Sequence, residues 1–304
     1  MERILIIKLG ALGDIVRTEG VLHDIRNHHG RARITVMTTP AYEFIFKRCP
    51  WIDDIFLDPR DSRWSPGKMM QLGKRLRQHP WDLVYDLQNV SRTTFYRLLF
   101  FRGVKWSGAD LWLQGFKRAA ERRSPLAWAA EQLKQAGVPL RHTLHPDLSW
   151  LADDVSELLA GAGVKGRFIV LIPGCSAGHP EKRWPYYKEL AAMLTAEGRQ
   201  VVTLLGPDEE EMHDSFPGIV LTKPGEYLDL FQLSGVLQQA DFVIGNDTGP
   251  SHIASHLGRP GLVLFSDHAP AYMTDIELGG LKAIECPDLR DISVLDIYQK
   301  IPRW

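Results

Sequence analysis

The chain has 304 residues, 44% of them hydrophobic and 24% charged, with 26 glycines and a formal net charge of −1. That length passes the roughly 250 to 300 residues over which one hydrophobic core keeps growing, so two domains are expected, and the ordinary composition excludes a disordered or low-complexity chain. Three scattered cysteines, Cys49, Cys175 and Cys286, exclude a disulfide framework and a paired zinc site, which points to a reducing, cytoplasmic setting.

The first predicted strand is RILIIK from Arg3, a short apolar run that leads straight into a glycine loop and so reads as a buried strand and not a signal peptide. No later apolar run approaches the roughly 20 residues that span a bilayer, so any membrane contact is expected to be peripheral. The loop is Lys8-Leu9-Gly10-Ala11-Leu12-Gly13-Asp14, with a helix predicted from near Ile15. Its glycines permit a tight turn and close ligand approach, and a helix N-terminus favours negative charge, so the loop suits an anion or carboxylate. It has neither the glycine spacing of a dinucleotide fold nor the Lys-Ser/Thr ending of a P-loop. Asp14 is also a favoured capping residue, and that simpler role stands beside a chemical one.

Strands RITVMT from Arg33, DDIFL from Asp53 and DLVYDL from Asp82 follow, the last running into Asp86-Leu87-Gln88. From Arg92 to Arg123 the cations Arg92, Arg97, Arg102, Lys105, Lys117, Arg118, Arg122 and Arg123 interleave with Phe95, Tyr96, Phe100, Phe101, Trp106, Trp112 and Phe116. Such a mixture suits anionic headgroups or a ligand's phosphates, because cations attract the charge while aromatic rings settle at an interface. An ordinary helix and strand with a solvated face is the alternative. Residues 1–150 hold 24 Lys and Arg against 15 Asp and Glu, a net of +9, whereas residues 151–304 hold 12 against 22, a net of −10. The first half is therefore expected to meet an anionic partner, unless the imbalance is only solvated surface charge.

A Pro-containing polar stretch from Pro139 to Asp154 is the expected link, followed by a helix from Asp153 to Gly161 and strands RFIVLI from Arg167, QVVTLLG from Gln200, GIVL from Gly218, DFVIG from Asp241 and GLVLF from Gly261. Continuous apolar strands alternating with helices indicate parallel sheets covered on both faces, so the fold class is α/β, twice over. The expected domains are 1–150 and 151–289, with strand-to-helix loops facing a central cleft, where open α/β sheets hold ligands. The last stretch, about 290–304, is expected to be helical from Ser293 to Ile301 and able to pack back on the first domain.

Two loops of the second half carry chemistry. Pro173-Gly174-Cys175-Ser176-Ala177-Gly178-His179-Pro180-Glu181-Lys182-Arg183-Trp184-Pro185 places a hydroxyl, backbone donors and cations ahead of a helix, a set that suits phosphate oxygens, although Lys182 and Arg183 taken singly read as surface charges. Gly245-Asn246-Asp247-Thr248-Gly249-Pro250-Ser251-His252 is again a strand end, a polar glycine loop and a helix start, suited to a diphosphate. His252 and His256 share a helix face, a spacing that serves metal ligation or, without a third ligand beside them, simple packing. Glu209 to Glu211 read either as the edge of a nucleotide pocket or as a solvated acidic helix start.

The opening Gly-x-x-Gly-Asp, the Lys-Arg-Trp-Pro loop and Asp-Thr-Gly-Pro-Ser-His-Ile-Ala, in this order and spacing over nearly the whole chain, resemble the lipopolysaccharide heptosyltransferase family, glycosyltransferase family 9. Asp86-Leu87-Gln88 resembles the same family's Asp-x-Gln segment. The resemblance implies a GT-B fold of two Rossmann-like domains, an acceptor on the first and an ADP-sugar on the second. It implies inversion at the anomeric carbon with no metal and no cofactor. By position, Asp14 matches the general base and Lys182 the phosphate-contacting lysine. Ser176, Lys182, Asp247, Thr248, Gly249, Ser251 and His252 fall to the donor, and Lys8, Gly13, Gln88 and Arg92 to the acceptor. The implied partners are an ADP-sugar and an anionic, lipid-linked saccharide at the inner face of the inner membrane, with no nucleic acid. The chain departs from the family in a longer Pro173–Pro185 loop and in Ser266-Asp267-His268-Ala269-Pro270 where a Gly-Pro-Thr-like turn is usual. The rival readings are a non-catalytic sugar-nucleotide-binding protein of the same fold and a protein-directed glycosyltransferase. A nicotinamide oxidoreductase is disfavoured, because neither half carries the required glycine pattern.

Overall fold

The structure, a computed structural model, describes residues 1–109, 123–176, 178–222, 225–267 and 270–304. The chain divides into two compact units, Met1–His145 and Pro146–Trp304. The division falls inside the expected link, slightly ahead of residue 150.

The first unit is a parallel sheet of β1 (Arg3–Ile7), β2 (Arg33–Thr38), β3 (Asp54–Leu57), β4 (Leu83–Asp86) and β5 (Lys105–Ser107), in the order β3-β2-β1-β4-β5. β1 is the central strand, paired on both edges, and Ile4 to Ile7 are fully buried. A strand covered on both faces has no polar side to present, which is why RILII reads as one apolar run. Helices α1 (Leu12–Arg17), α2 (Glu19–His28), α3 (Glu43–Arg48), α4 (Pro66–Arg77), α5 (Ser91–Phe100) and α6 (Pro125–Gln135) accompany the sheet. α1 begins ahead of the expected Ile15. Asp14 therefore stands in its first turn and does not cap it; the cap position is Ala11. Leu5, Ile7, Phe56, Leu72, Leu76 and Tyr96 share one apolar core.

The end of this unit is clasped to α2 by one carboxylate. Asp24 is 1% exposed and accepts from the N–H groups of Arg141, His142 and Thr143 and from the Thr143 hydroxyl, at 2.7 to 3.1 Å. Backbone runs so close to α2 there that a Cβ on Gly20 would lie 2.1 Å from the His142 carbonyl oxygen, so only glycine fits.

The second unit repeats the plan with β6 (Phe168–Ile172), β7 (Gln200–Thr203), β8 (Ile219–Val220), β9 (Phe242–Asn246), β10 (Gly261–Phe265) and β11 (Leu281–Glu285), in the order β11-β10-β9-β6-β7-β8. Its helices are α7 (Ser156–Gly161), α8 (Tyr187–Ala196), α9 (Leu230–Gln239), α10 (Gly249–His256) and α11 (Val294–Tyr298). The C-terminal stretch, read from the sequence as able to pack back on the first domain, falls in the second unit. Ile297 and Ile301 are buried in one core with Trp184, Tyr187 and Leu190. The Trp184 indole N–H also donates to the Ile292 carbonyl at 2.9 Å.

Trp184 is 1% exposed, so Trp184→Ala removes both a large buried ring and that hydrogen bond. The expected loss is about 3 to 5 kcal/mol of stability, read by urea denaturation, and a loss below about 1 kcal/mol would mean that the core closes over the gap.

Candidate functional site

In each sheet the strand order reverses at one place, between β1 and β4 in the first unit and between β6 and β9 in the second. Connections leave such a pair of strands toward opposite faces, which opens a crevice beyond their carboxyl ends. All three predicted motifs, and the Asp-x-Gln segment, fall on those four strand ends.

In the first unit the loop after β1 rests on the loop after β4. The Leu9 N–H donates to Gln88 Oε1 at 2.8 Å, and the buried Lys8 ammonium donates to the Leu87 carbonyl at 3.2 Å. Burial pushes the Lys8 pKa below its ordinary value, aided by Arg17 and opposed by the nearby carboxylates of Asp14 and Asp86. Asp14 is ion-paired with Arg17, and a third of its side chain remains open to solvent. Gly13 stands half-buried beside it in the same turn. Gly10 has φ +126°, and a Cβ there would lie 2.5 Å from the Tyr42 ring.

Asp86 underpins this arrangement. It is 2% exposed and accepts from the N–H groups of Gln88 and Asn89 at 3.1 and 2.8 Å. Burial pushes its carboxyl up from 3.8 to about 6, against the opposing pull of the Thr93 hydroxyl, those two N–H groups and Lys8. Because the folded value lies above the unfolded one, the neutral form favours the fold. The associated stability is present in full below about pH 4 and is lost as pH rises through about 6. Urea denaturation of Asp86→Asn is therefore expected to show a flatter pH profile across that window than the unaltered chain. Equal slopes would assign the dependence to other groups.

Arg92, expected at the acceptor, is engaged otherwise. Its guanidinium donates to the Tyr96 hydroxyl at 2.6 Å and to the carbonyls of Arg60 and Asp61 at 3.3 and 3.0 Å, while the Tyr96 hydroxyl donates to buried Asp58 at 2.8 Å. It fastens the loop after β3 onto α5. Within the basic, aromatic stretch Arg97 lies over the Trp106 ring; Trp112, Phe116, Lys117, Arg118 and Arg122 lie outside the described residues.

In the second unit a single carboxamide joins the two loops. Asn246 is fully buried; its nitrogen donates to the carbonyls of Pro173 and Gly174 at 3.1 Å each, and its oxygen accepts from Trp184 N–H and the Tyr187 hydroxyl at 3.2 and 3.0 Å. The strand ending in Asn246 thus fixes the loop that carries Lys182. The Lys182 ammonium donates to Asp247 Oδ2 at 2.7 Å, and His252 Nε2 stands 3.7 Å from Oδ1. Burial pushes the Asp247 pKa upward, but the His252 ring and the Lys182 ammonium outweigh it and hold the carboxyl at about 2.

Thr248 holds the cap position of α10 in extended conformation, Gly249 opens the helix and Pro250 lies in its first turn. The first N–H groups of a helix have no partner within it and carry partial positive charge. Thr248 and Pro250 line a pocket of about 360 Å³ with exposed Ser176, apolar walls from Ile172, Leu204, Leu205, Tyr227 and Leu233, and Glu209 at its side. A mostly apolar cavity with a few convergent polar groups is the usual form of a small-molecule site.

Glu209 is not a solvated acid. It is 5% exposed and accepts from the N–H groups of Cys175 and Gly206 and from Arg183, at 3.0 to 3.3 Å, which braces the loop after β6 against the loop after β7. A Cβ on Gly174 would lie 2.9 Å from its carboxylate. Ser251, expected at the donor, is fully buried and donates to the Asn246 carbonyl at 2.6 Å, so its hydroxyl shapes the turn and does not face the pocket. His252 has a role the sequence reading did not give it, as a neighbour of Asp247, and His256 Nδ1 lies 3.0 Å from the His252 carbonyl oxygen. Among the described residues no three His, Cys, Asp or Glu side chains gather as a metal would need. Ala177, His268 and Ala269 lie outside the described residues.

The sequence profile described as glycosyltransferase family 9 (heptosyltransferase) matches residues 69–278. Lipopolysaccharide heptosyltransferase 2 of Escherichia coli K12 is 24% identical over 296 residues, covering 89% of this chain and 84% of its own. Among solved structures, a family 9 glycosyl transferase of Veillonella parvula superposes with a TM-score of 0.72 at 19% identity, over 94% of this chain and 86% of its own. Escherichia coli heptosyltransferase WaaC, solved with ADP-2-deoxy-2-fluoro heptose, superposes with a TM-score of 0.69 at 19% identity, over 98% of each chain. These likenesses show the fold class expected from the sequence, GT-B with two Rossmann-like units.

Proposed function

The chain belongs to glycosyltransferase family 9 and is a glycosyltransferase, and from that premise we propose that it moves a heptose or related sugar from an ADP-sugar to the lipopolysaccharide inner core or another lipid-linked acceptor. The observation that carries the donor half is the Lys182–Asp247 pair at the start of α10, next in sequence to Thr248, which lines a largely apolar pocket. The apolar walls take the base and ribose; the α10 N–H groups and Lys182 take the diphosphate, whose charge grows as the sugar departs. Asp247 holds the Lys182 ammonium in place until the phosphates compete for it.

The acceptor falls to the first unit, with Asp14 as the base and the Lys8 to Gly13 loop shaping its surroundings. In one displacement the acceptor oxygen forms a bond to the anomeric carbon, its proton passes to the Asp14 carboxylate, and the bond from that carbon to the ADP oxygen breaks with inversion. Arg17 orients the carboxylate. No metal is assigned a step, because Lys182 and the helix start supply the positive charge. A lipid-linked acceptor places the enzyme peripherally on the inner face of the inner membrane; no described helix is long and apolar enough to cross one.

The test is ADP release from ADP-heptose in the presence of a heptose-free inner-core lipid acceptor. Release that needs both substrates is the expected result. Tight ADP binding without release, whatever the saccharide acceptor, would replace the transfer reading with that of a sugar-nucleotide-binding protein; release with a polypeptide acceptor alone would make the enzyme protein-directed.

A further inference from the structure

α4 and α5 pack directly against each other, so closely that a Cβ on Gly73 would lie 2.7 Å from the Phe100 ring. α4 turns Met69, Leu72, Gly73 and Leu76 inward, which at the helical repeat leaves Met70, Lys74 and Arg77 on its outer face. α5 buries Thr93 and Tyr96 and leaves Leu98 and Leu99 outward. With Trp64 just ahead of α4, four large apolar side chains meet water here, at 90% exposure for Trp64, 74% for Met70, 62% for Leu98 and 47% for Leu99. Single exposed apolar residues are common, but a group of them on two adjoining helices marks a binding surface.

The charge around them selects the occupant. α4 and α5 carry six Lys and Arg and not one Asp or Glu, and of the six Lys68, Lys74 and Arg77 are exposed. A second copy laid face to face on this surface would oppose cation to cation, which disfavours self-association. An anionic lipid surface satisfies both features at once, since the headgroups attract the cations and the headgroup–acyl boundary receives Trp, Leu and Met side chains. We propose that the α4–α5 face docks on an anionic bilayer, with Trp64, Met70, Leu98 and Leu99 entering the boundary between headgroups and acyl chains. This deepens the reading of a lipid-linked acceptor given above and rests on it.

The test uses the full chain with vesicles of phosphatidylglycerol and phosphatidylethanolamine, or of phosphatidylcholine alone, and reads the bound fraction by sedimentation. The unaltered chain is expected to bind the anionic vesicles at least about tenfold more tightly than the neutral ones, an advantage that high salt reduces as screening shortens. Met70→Ser/Leu98→Ser/Leu99→Ser and Lys74→Glu/Arg77→Glu are each expected to weaken that binding at least about tenfold, because partition into an anionic interface draws on apolar burial and on each nearby cation. All five positions are exposed, so the fold survives, which circular dichroism checks.

Binding indifferent to lipid charge, no binding to either vesicle, or variants that bind like the unaltered chain would each overturn the proposal. So would a dimer that the serine variant splits without any vesicle binding, which assigns the face to a second copy. ADP release with a delipidated acceptor is scored separately and is expected to be unchanged in both variants. Its absence in every chain sinks the transfer reading and leaves the vesicle result standing.

Discussion

Asp14→Asn is expected to lower kcat for sugar transfer by roughly two to four orders of magnitude, the range over which a positioned general base acts, with donor affinity unchanged. Asparagine keeps the shape of the side chain and can still accept a hydrogen bond from Arg17, the partner Asp14 has in the fold. It cannot take a proton. The acceptor hydroxyl must then attack while still protonated or lose its proton to water. Rates come from ADP release at saturating donor and acceptor, and donor affinity from calorimetry with ADP, whose proposed site lies in the other unit. A fall of less than about tenfold would move the base to another residue, with Lys8 and Asp86 the ionisable neighbours to examine.

Lys182→Ala is expected to lower kcat by about two to three orders of magnitude, comparable to removal of a donor aimed at developing negative charge. Two effects combine. The leaving diphosphate loses a cation, and Asp247, otherwise held at about 2 by His252 and Lys182, becomes an anion beside the phosphates with His252 as its remaining partner. The second effect can be removed on its own. Asp247→Asn in the Lys182→Ala background is therefore expected to recover part of the lost rate, so that the double variant is less damaged than the two single losses together imply. Strictly multiplicative losses would show that Lys182 and Asp247 act independently and would remove the pairing from the mechanism.

The sequence showed most of the scaffold, because buried parallel strands are continuous apolar runs that need no partner to be recognised. β5 and β11 escaped. β5 is only Lys105–Ser107, and β11, LKAIE, lies at a sheet edge with Lys282 and Glu285 interrupting its apolar residues, so neither presents such a run. The loops were visible from their glycines, prolines and short polar residues, but side-chain duties within them were not. Asn246, Glu209 and Arg92 act on carbonyls and N–H groups that are distant in sequence, and no local pattern announces such a partner. Ser251 was assigned to the donor from its place in the motif, whereas β9 and α10 turn its hydroxyl back to the Asn246 carbonyl. The C-terminal helix was foreseen as a helix; its seat beside Trp184 depended on which apolar face was left open, a property of the assembled sheet and not of residues 290–304.

The carboxamide of Asn246 has a chemical lifetime as well as a geometry. Spontaneous deamidation would exchange its nitrogen for an oxygen, leaving the carbonyls of Pro173 and Gly174 facing an anion where they now face a donor. A buried acceptor confronted by another acceptor loses the hydrogen bond and bears the cost of dehydration besides. One mass unit gained at this position in an ageing preparation would thus remove the two bonds to Pro173 and Gly174 and leave only those accepted from Trp184 and Tyr187, which loosens the start of the Lys182 loop on β9.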